Sequence, residues 1–189
     1  MKYSYRKFAL EGTSCVGKTT LLHKLENHLQ TSYADKVTAI VPEAARYYFE
    51  NRKVKEPFIY FHQSRIQNLA KEFEQRIEKI TPDIIVCDRS VVDAIAYIKV
   101  QGTQHETEKL IKKAQGWLST YTHFFLLDPV GIDYKTDLIR KEDAKTRDTF
   151  HIAFLEILQK LALPYTLVSG TEHERFNKIE KLISSKIYE

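Results

Sequence analysis

An α/β fold, with one parallel sheet between two layers of helices, is predicted by two features of this 189-residue sequence. Short and nearly unbroken apolar runs are typical of strands that are covered on both faces. These runs alternate with amphipathic helical patterns along the whole chain. The alternation favours parallel strands joined by right-handed helical crossovers. The sequence contains no repeat, low-complexity tract or Pro/Gly/Ser linker, so we expect a single domain over residues 1–189.

Five apolar runs are predicted to form the sheet: Lys7–Leu10, Val37–Val41, Ile84–Cys87, Phe124–Leu127 and Tyr165–Val168. The clearest helical patterns are TTLLHKLENHLQ, FIYFHQSRIQNLAKEFEQRIEKI, FHIAFLEILQKL and RFNKIEKLISSKI. In the first pattern, leucines fall on one helical face. The segment DPVGIDYKTDLIRKEDAKTRD after the fourth run is rich in both signs of charge. We expect it to form a charged lid over a site.

The composition excludes several classes of protein. The chain is 43% hydrophobic and 29% charged, as is ordinary for a globular domain. Its two cysteines, Cys15 and Cys87, are too few for a disulfide framework and suit a reducing cytosol, so we expect a cytoplasmic protein. No stretch approaches the roughly 20 apolar residues that span a membrane, and we expect no signal peptide. The net charge of +4 favours anionic ligands such as nucleotides and gives only weak support for nucleic-acid binding.

The most specific motif is GTSCVGKTT, which follows the first predicted strand and leads into a predicted helix. This spacing of two glycines, a lysine and a hydroxyl residue is typical of a loop that wraps phosphates. The glycines allow a tight turn whose N–H groups converge on a phosphate, and the helix N-terminus adds a positive dipole. Lys18 is expected to reach the β- and γ-phosphates, and Thr19 to ligate Mg²⁺. The predicted ATP-binding residues are Gly12, Thr13, Ser14, Cys15, Val16, Gly17, Lys18, Thr19 and Thr20.

Two acids are expected at the same end of the sheet as this loop. Asp88 follows the third predicted strand, where it is suited to bind Mg²⁺ through water or to accept a proton from an attacking hydroxyl. Alternatively, Asp88 or Ser90 caps the next helix. Glu43 follows the second predicted strand and is a candidate base or hydrogen-bond acceptor for the substrate, although a first-turn glutamate favoured by the helix dipole explains it equally well. The sequence does not decide which acid holds the metal and which accepts the proton.

Cations are required because phosphoryl transfer develops charge on the transferred group. Arg140 and Arg147 lie in the charged segment and are candidate catalytic residues of a closing lid, or else members of a solvated loop. Arg65 lies on the long helix, which is expected either to wall the acceptor pocket or to be surface. An aromatic cluster between the second and third strands either stacks a nucleobase or packs in the core; its members are Tyr47, Tyr48, Phe49, Phe58, Tyr60 and Phe61.

Taken together, GTSCVGKTT, VPEAAR, CDRS with DAIAY, DLIR and LALPYTLVSG resemble the small P-loop kinases, especially the AAA-type ATP-binding family that includes nicotinamide riboside kinase-like domains. The resemblance covers roughly Phe8 to Ile183 and implies a three-layer P-loop NTPase fold. It implies roles for Glu43 and Arg46 through a Glu-x-x-Arg pattern, and for Asp137 and Arg140 through an Asp-x-x-Arg pattern. Leu138 stands where the latter pattern usually has glycine.

PFIYFHQSRI and DRSVVDAIAY also resemble deoxynucleoside and thymidylate kinases. That similarity implies acceptor contacts for Gln63 and Arg65 and places Asp88 and Arg89 near the acceptor hydroxyl or phosphate. Both resemblances imply Mg²⁺- and ATP-dependent phosphorylation of a small nucleoside- or nucleotide-like acceptor, and they differ on which one. Homo-oligomerisation remains open.

Two other functions fit the sequence less well. A GTPase switch would use DPVG and NKIE, but the first follows the fourth strand and the second lies inside the last predicted helix. A P-loop ATPase with a regulatory role, linked to protein or nucleic acid, would need a glutamate after Asp88 to activate water, and Arg89 stands there. The ATPase remains the alternative function, and a polynucleotide hydroxyl as acceptor is not excluded.

Overall fold

The computed structural model describes residues 5–50, 52, 54, 56–57, 59–132 and 144–188. Strands and helices alternate within these ranges as β1 (Arg6–Glu11), α1 (Lys18–Ser32), β2 (Thr38–Val41), α2 (Ala44–Glu50), α3 (Tyr60–Glu78), β3 (Ile84–Asp88), α4 (Val91–Gln101), α5 (Gln104–Leu118), β4 (His123–Leu127), α6 (Ala144–Lys160), β5 (Tyr165–Val168) and α7 (Glu172–Ile187).

The sheet has five parallel strands in the order β2-β3-β1-β4-β5. All five predicted strands are present, and polar residues extend two of them. Glu11 continues β1 beyond the predicted end, and Asp88 is the last residue of β3 instead of the first residue after it. The register pairs Leu10 with Asp88. Because β1 is central, the loop that follows it emerges between the ends of β3 and β4, where the strand order reverses.

Helices cover both faces of the sheet, as the sequence predicts. On one face, α1 and α7 pack on alternate residues of the strands, with Phe8 and Leu10 of β1 among them. On the other face lie α2 to α6, which pack against Ala9 and Cys87. Every residue from Val91 to Ile98 of α4 is buried, because neighbouring helices enclose it. The result is a three-layer α/β fold.

Two helices differ from the sequence prediction. The patterns above do not single out α5, which begins with a capping box between Thr103 and Glu106. Helix α6 begins at Ala144, six residues before the predicted pattern, so Arg147 lies on a helix and not in a loop. Among the described residues, no helix combines the length and the apolar character that crossing a bilayer requires.

Candidate functional site

The phosphate-binding motif forms the loop between β1 and α1. Gly12 has φ 136°, and a Cβ atom there would lie 3.1 Å from the carbonyl oxygen of Leu127. Gly17 has φ 84° and is the N-cap residue of α1. L-residues rarely adopt either conformation, so both glycines are required by the backbone path. Consequently the first turn of α1 opens toward the loop, the arrangement that favours an anion.

Lys18 is buried under this loop. Its ammonium Nζ donates hydrogen bonds to the carbonyl oxygens of Gly12, at 2.8 Å, and Thr13, at 2.5 Å. Thr19 and Thr20 follow on the first turn of α1. Both side chains are exposed. The hydroxyl of Thr19 is therefore open to a ligand at the N-terminus of the helix.

The other predicted ATP-binding residues complete the loop. Thr13, Ser14 and Val16 are buried, whereas Cys15 is partly exposed and has φ 58°. The left-handed backbone of Cys15, between buried neighbours, is typical of a loop whose N–H groups curve around an anion.

Asp88 lies at the tip of β3, directly beside β1. Its Oδ1 atom is buried and has no hydrogen-bond partner among the described residues. Burial, together with the negative charge of Glu43, raises the pKa of Asp88. A buried carboxylate oxygen without a partner, close to the phosphate loop, fits a Mg²⁺ ligand. No cluster of three metal-ligating side chains occurs in the described ranges, so an ion here would complete its shell with water and phosphate oxygens, as Mg²⁺ commonly does.

Arg89 connects the ends of four elements, β1, β3, α2 and α4. Its backbone N–H donates to the carbonyl oxygen of Leu10 at 3.0 Å, and its Nη1 donates to that of Gly12 at 2.9 Å. Nη1 also donates to Oδ1 of Asp93, and Nε lies 3.0 Å from Oε1 of Glu43. Burial lowers the pKa of Arg89, but the charges of Asp93 and Glu43 outweigh burial and leave the pKa well above its ordinary value. Arg89 is therefore a buried cation that fixes the tips of β1 and β3 to α2 and α4.

Glu43 immediately precedes α2 and is buried beside Arg89. Its Oε2 atom lies 3.6 Å from Nε of Arg46, whose side chain is about half exposed. The structure thus brings together Glu43, Asp88 and Arg89 as the sequence predicts, with Arg46 at the rim.

Two acids that the sequence analysis did not select also belong to this group. Glu11 ends β1 directly before the phosphate loop, and its Oε1 accepts a hydrogen bond from the hydroxyl of Ser90. Ser90 is also the N-cap of α4, with Val92 N–H donating to it at 3.0 Å. Burial and the nearby Asp93 raise the pKa of Glu11 to about 8. Two sequence signals point to these acids. Glu11 is an acid at the end of an apolar strand, and Asp93 forms an i, i+4 pair with Arg89.

A cleft opens next to these charges, between the ends of β2 and β3 and helices α2, α3 and α4. Its walls are mainly apolar, and its polar end is formed by Asp88, Arg89, Ser90 and Asp93. The apolar lining residues are Val41, Pro42, Ala44, Ala45, Ile66 and Ala70. Its empty volume is about 270 Å³, slightly below the roughly 300–1,000 Å³ of small-molecule sites, but an apolar lining with a few convergent polar groups is typical of them.

The long helix α3 contributes less to the cleft than its sequence suggests. Gln63 is buried, but its amide donates to the carbonyl oxygen of Pro57 at 2.9 Å. Arg65 is exposed, and its guanidinium lies 5.0 Å from the ring centroid of Phe61. Neither residue lines the cleft, which is reached instead by Ile66 and Ala70.

The predicted aromatic cluster divides between core and surface. Tyr48 is buried and its hydroxyl lies 2.9 Å from Nδ1 of His62, whereas Tyr47 and Phe61 are more than half exposed. Tyr60 and Phe49 are partly buried against the core, and Phe58 lies outside the described residues. None of the described rings of this cluster lines the cleft.

The charged segment is described only at its two ends, and Asp137, Leu138 and Arg140 lie outside the described residues. Arg147, on α6, donates from Nη1 to the carbonyl oxygen of Ile132 at 3.1 Å. It therefore ties the start of α6 to the chain that follows β4.

One further arginine supports the phosphate loop. Arg175 of α7 is only 2% exposed and donates to the carbonyl oxygens of Gly170 at 2.7 Å, Val16 at 3.2 Å and Asp128 at 2.9 Å. These contacts join the phosphate loop to the segments after β4 and β5. No signal in the sequence indicates this role, because an arginine in an amphipathic helix is ordinarily exposed.

A family model described as AAA domain matches residues 7–175, which include the phosphate loop and every strand except the first residue of β1. The chain belongs to this family. Among curated proteins, the thymidylate kinase of Sulfurimonas denitrificans (strain ATCC 33889 / DSM 1251) is 32% identical in an alignment of 108 residues that covers 52% of this chain and 52% of that enzyme. The chain therefore aligns with about half the length of this relative.

Solved structures with the same fold include NadR and a deoxyadenosine kinase. NadR in complex with NAD and AMP-PNP superimposes with a TM-score of 0.74 at 15% identity, over 94% of this chain and 49% of that chain. Deoxyadenosine kinase from M. mycoides superimposes with a TM-score of 0.67 at 14% identity, over 95% of this chain and 99% of that chain. These similarities establish a P-loop kinase-type fold, as the sequence resemblance implies.

Proposed function

We propose that this chain is an ATP-dependent kinase that phosphorylates a small nucleoside- or nucleotide-like acceptor. The observation that carries the proposal is the cleft beside the phosphate loop. Asp88 and Arg89 form the end of the cleft that lies next to Gly12, so a molecule bound in the cleft would face the phosphates of a bound nucleotide. The thymidylate kinase similarity and the nucleotide complexes of NadR support the same activity. A cytoplasmic location and a single-domain chain remain our expectations from the sequence.

In this proposal the loop from Gly12 to Thr20 holds the triphosphate of ATP. Backbone N–H groups and the start of α1 face the phosphates, and the ammonium of Lys18 exchanges its bonds with Gly12 and Thr13 for bonds to phosphate oxygens. Thr19 and Asp88 are the residues placed to hold Mg²⁺, which when bound would neutralise charge on the phosphates. Arg147, and Arg140 of the charged segment, are proposed to add positive charge over the transferred group.

The cleft holds the acceptor with its nucleophilic oxygen toward the loop. That oxygen forms a bond to the γ-phosphorus while the bond from phosphorus to the β–γ bridging oxygen breaks, and ADP leaves. A hydroxyl acceptor gives its proton to Glu43 or Asp88. Asp88 keeps an unpartnered oxygen among the described residues, so we assign metal binding to Asp88. Proton acceptance then falls to Glu43, the other candidate acid, which two arginines hold in place. Arg46, at the rim beside Glu43, borders the acceptor, whereas acceptor contacts of Gln63 and Arg65 would require them to leave their present partners Pro57 and Phe61.

The test is a screen of nucleosides, nucleotides and nicotinamide riboside with labelled ATP and Mg²⁺. We expect Lys18→Ala to lower phosphate transfer by about 100-fold or more, because it removes a cation from the transition state. Lys24→Ala is the matched control, since Lys24 lies on the same helix in a half-exposed pair with Glu172. Equal rates in Lys18→Ala and the control would refute the assignment. Steady ATP hydrolysis without transfer to any acceptor would support the ATPase instead.

A further inference from the structure

We propose that the acceptor is an unphosphorylated nucleoside, neutral or cationic, and that the cleft rejects the corresponding nucleoside monophosphate. This inference rests on the proposed kinase function and narrows it. A nucleoside offers a hydroxyl to the phosphate loop, whereas a nucleoside monophosphate would bring about two negative charges to the same place. The charges around the polar end of the cleft favour the nucleoside.

The residues that line the cleft carry more negative than positive groups. Glu74, Asp88 and Asp93 are carboxyl side chains, and Arg89 is the only lining cation within the part of the chain that the structure describes. Glu74 is neutralised by the buried Lys7, which leaves the carboxyls of Asp88 and Asp93 against the one guanidinium of Arg89. Glu11 is a further buried carboxyl behind Ser90, but burial and Asp93 raise its pKa to about 8, so it is largely protonated at neutral pH and adds little negative charge. A phosphate entering this end would meet like charge in a poorly solvated place, which opposes binding.

Arg89 is the cation that an acceptor phosphate would need, and its donors are already committed. Tight phosphate recognition by arginine commonly uses two parallel N–H bonds. In Arg89, Nη1 is bound to Gly12 and Asp93, and Nε is paired with Glu43. Only Nη2 lacks both a hydrogen bond and an ion pair among the described residues. One N–H group suffices for a hydroxyl oxygen, but it does not provide a two-pronged grip on a phosphate.

The other described cations near the cleft do not replace Arg89 as a binding group for an acceptor phosphate. Arg46 is about half exposed beside Glu43, and Arg65 lies over the Phe61 ring on the surface. Lys18 is buried under the phosphate loop, on the side that faces the nucleotide. In contrast, a hydroxyl finds carboxylates that accept its hydrogen bond, and the apolar walls formed by residues such as Val41 and Ile66 suit an uncharged ring better than a charged group.

The experiment compares each nucleoside with its own 5′-monophosphate: thymidine, deoxyadenosine, deoxycytidine and nicotinamide riboside. Transfer from labelled ATP gives kcat/KM for both members of each pair. We expect the best acceptor to be a nucleoside, preferred over its monophosphate by about 100-fold or more. A monophosphate that equals or exceeds its nucleoside as the best acceptor would overturn the inference while leaving the kinase function intact. Absence of transfer to every compound would instead count against the kinase function.

A charge-removing variant tests the cause. Asp93→Asn keeps the size of the side chain and its oxygen, but removes the charge that holds Nη1 of Arg89. We expect the ratio of nucleoside to monophosphate kcat/KM to fall about tenfold. Asp35→Asn is the control, because the Asp35 side chain is 80% exposed on the chain after α1. A purely structural role of Asp93 would slow both reactions equally, and an unchanged ratio would therefore contradict the charge argument. The wild-type comparison decides the inference even where Asp93→Asn fails to fold.

Discussion

Glu11→Gln should remove a pH-dependent loss of stability that the fold places beside the phosphate loop. Glu11 is fully buried, and burial with the nearby Asp93 raises its pKa from an ordinary 4.5 to about 8. Below about pH 4.5 the carboxyl is protonated in both the folded and the unfolded chain. Between the two pKa values only the folded chain keeps the proton. Stability contributed by the protonated group is therefore lost as the pH rises, and the loss is complete above about pH 8.

The magnitude follows from proton linkage. For a folded pKa of about 8, raising the pH from about 6.5 to about 8 lowers the free energy of unfolding by about 1.7 kcal/mol. The glutamine side chain of the variant cannot ionise, yet its carbonyl oxygen can still accept the hydrogen bond from Ser90. Asp88 also has a raised pKa, but it is present in both proteins and largely cancels in the difference. The difference in the free energy of unfolding between wild type and Glu11→Gln should therefore change by about 1.7 kcal/mol between about pH 6.5 and about pH 8.

Urea unfolding at several pH values measures this difference, because the free energy of unfolding is linear in denaturant. Glu108→Gln is the control, since Glu108 is exposed on α5 and its carboxyl accepts a surface hydrogen bond from Gln104. A wild-type minus variant difference that stays constant from about pH 6.5 to about pH 8, or that changes with the opposite sign, would refute the reasoning.

Three further predictions concern parts of the structure away from the cleft. Lys7→Met should lower the free energy of unfolding by about 3 to 5 kcal/mol in urea, because it leaves the buried Glu74 carboxylate without its cation; the exposed-pair variant Lys99→Met should lose about 1 kcal/mol or less, and equal losses would contradict the buried ion pair. Arg175→Ala should lose about 2 to 4 kcal/mol and weaken binding of AMP-PNP in calorimetry, because three carbonyl oxygens lose a donor; unchanged affinity would show that the arginine does not support the phosphate loop. Burial lowers the pKa of His123 to about 4, so the stability that its neutral imidazole contributes is complete above about pH 6.5 and is lost as the pH falls from about 6.5 to about 4. In urea unfolding, wild type should lose about 2 kcal/mol more than His123→Gln between about pH 7 and about pH 5. Parallel pH dependences of the two proteins would contradict this prediction.

The strands could be predicted from the sequence because each is a short apolar run that is largely covered by helices on both faces. Their ends were less well defined, since Glu11 and Asp88 are polar residues whose backbones continue the sheet. The early start of α6 was missed because its first turns, with Thr146, Arg147 and Asp148, contain few apolar residues. An amphipathic pattern is therefore absent there, although tertiary contacts such as the bond from Arg147 to Ile132 hold the turn in place.

The part of the candidate site that depends on the local motif and on strand position could be predicted from the sequence. The prediction was incomplete where the site depends on packing between elements. Glu43, Asp88 and Arg89 follow or end neighbouring parallel strands, so topology alone brings them together. The interactions of Glu11 and Arg175 depend on side chains and carbonyl groups of separate elements meeting in space. No spacing in the sequence encodes those meetings.

The buried ion pair of Lys7 has a mechanical consequence for the cleft. Glu74, near the C-terminal end of α3, accepts hydrogen bonds from Lys7, Trp117 and Tyr121, so this end of the helix is joined to β1, to α5 and to the segment after α5. Breaking such a pair is costly. The part of the cleft wall next to Glu74, which includes Ala70, is therefore anchored against displacement by a bound ligand.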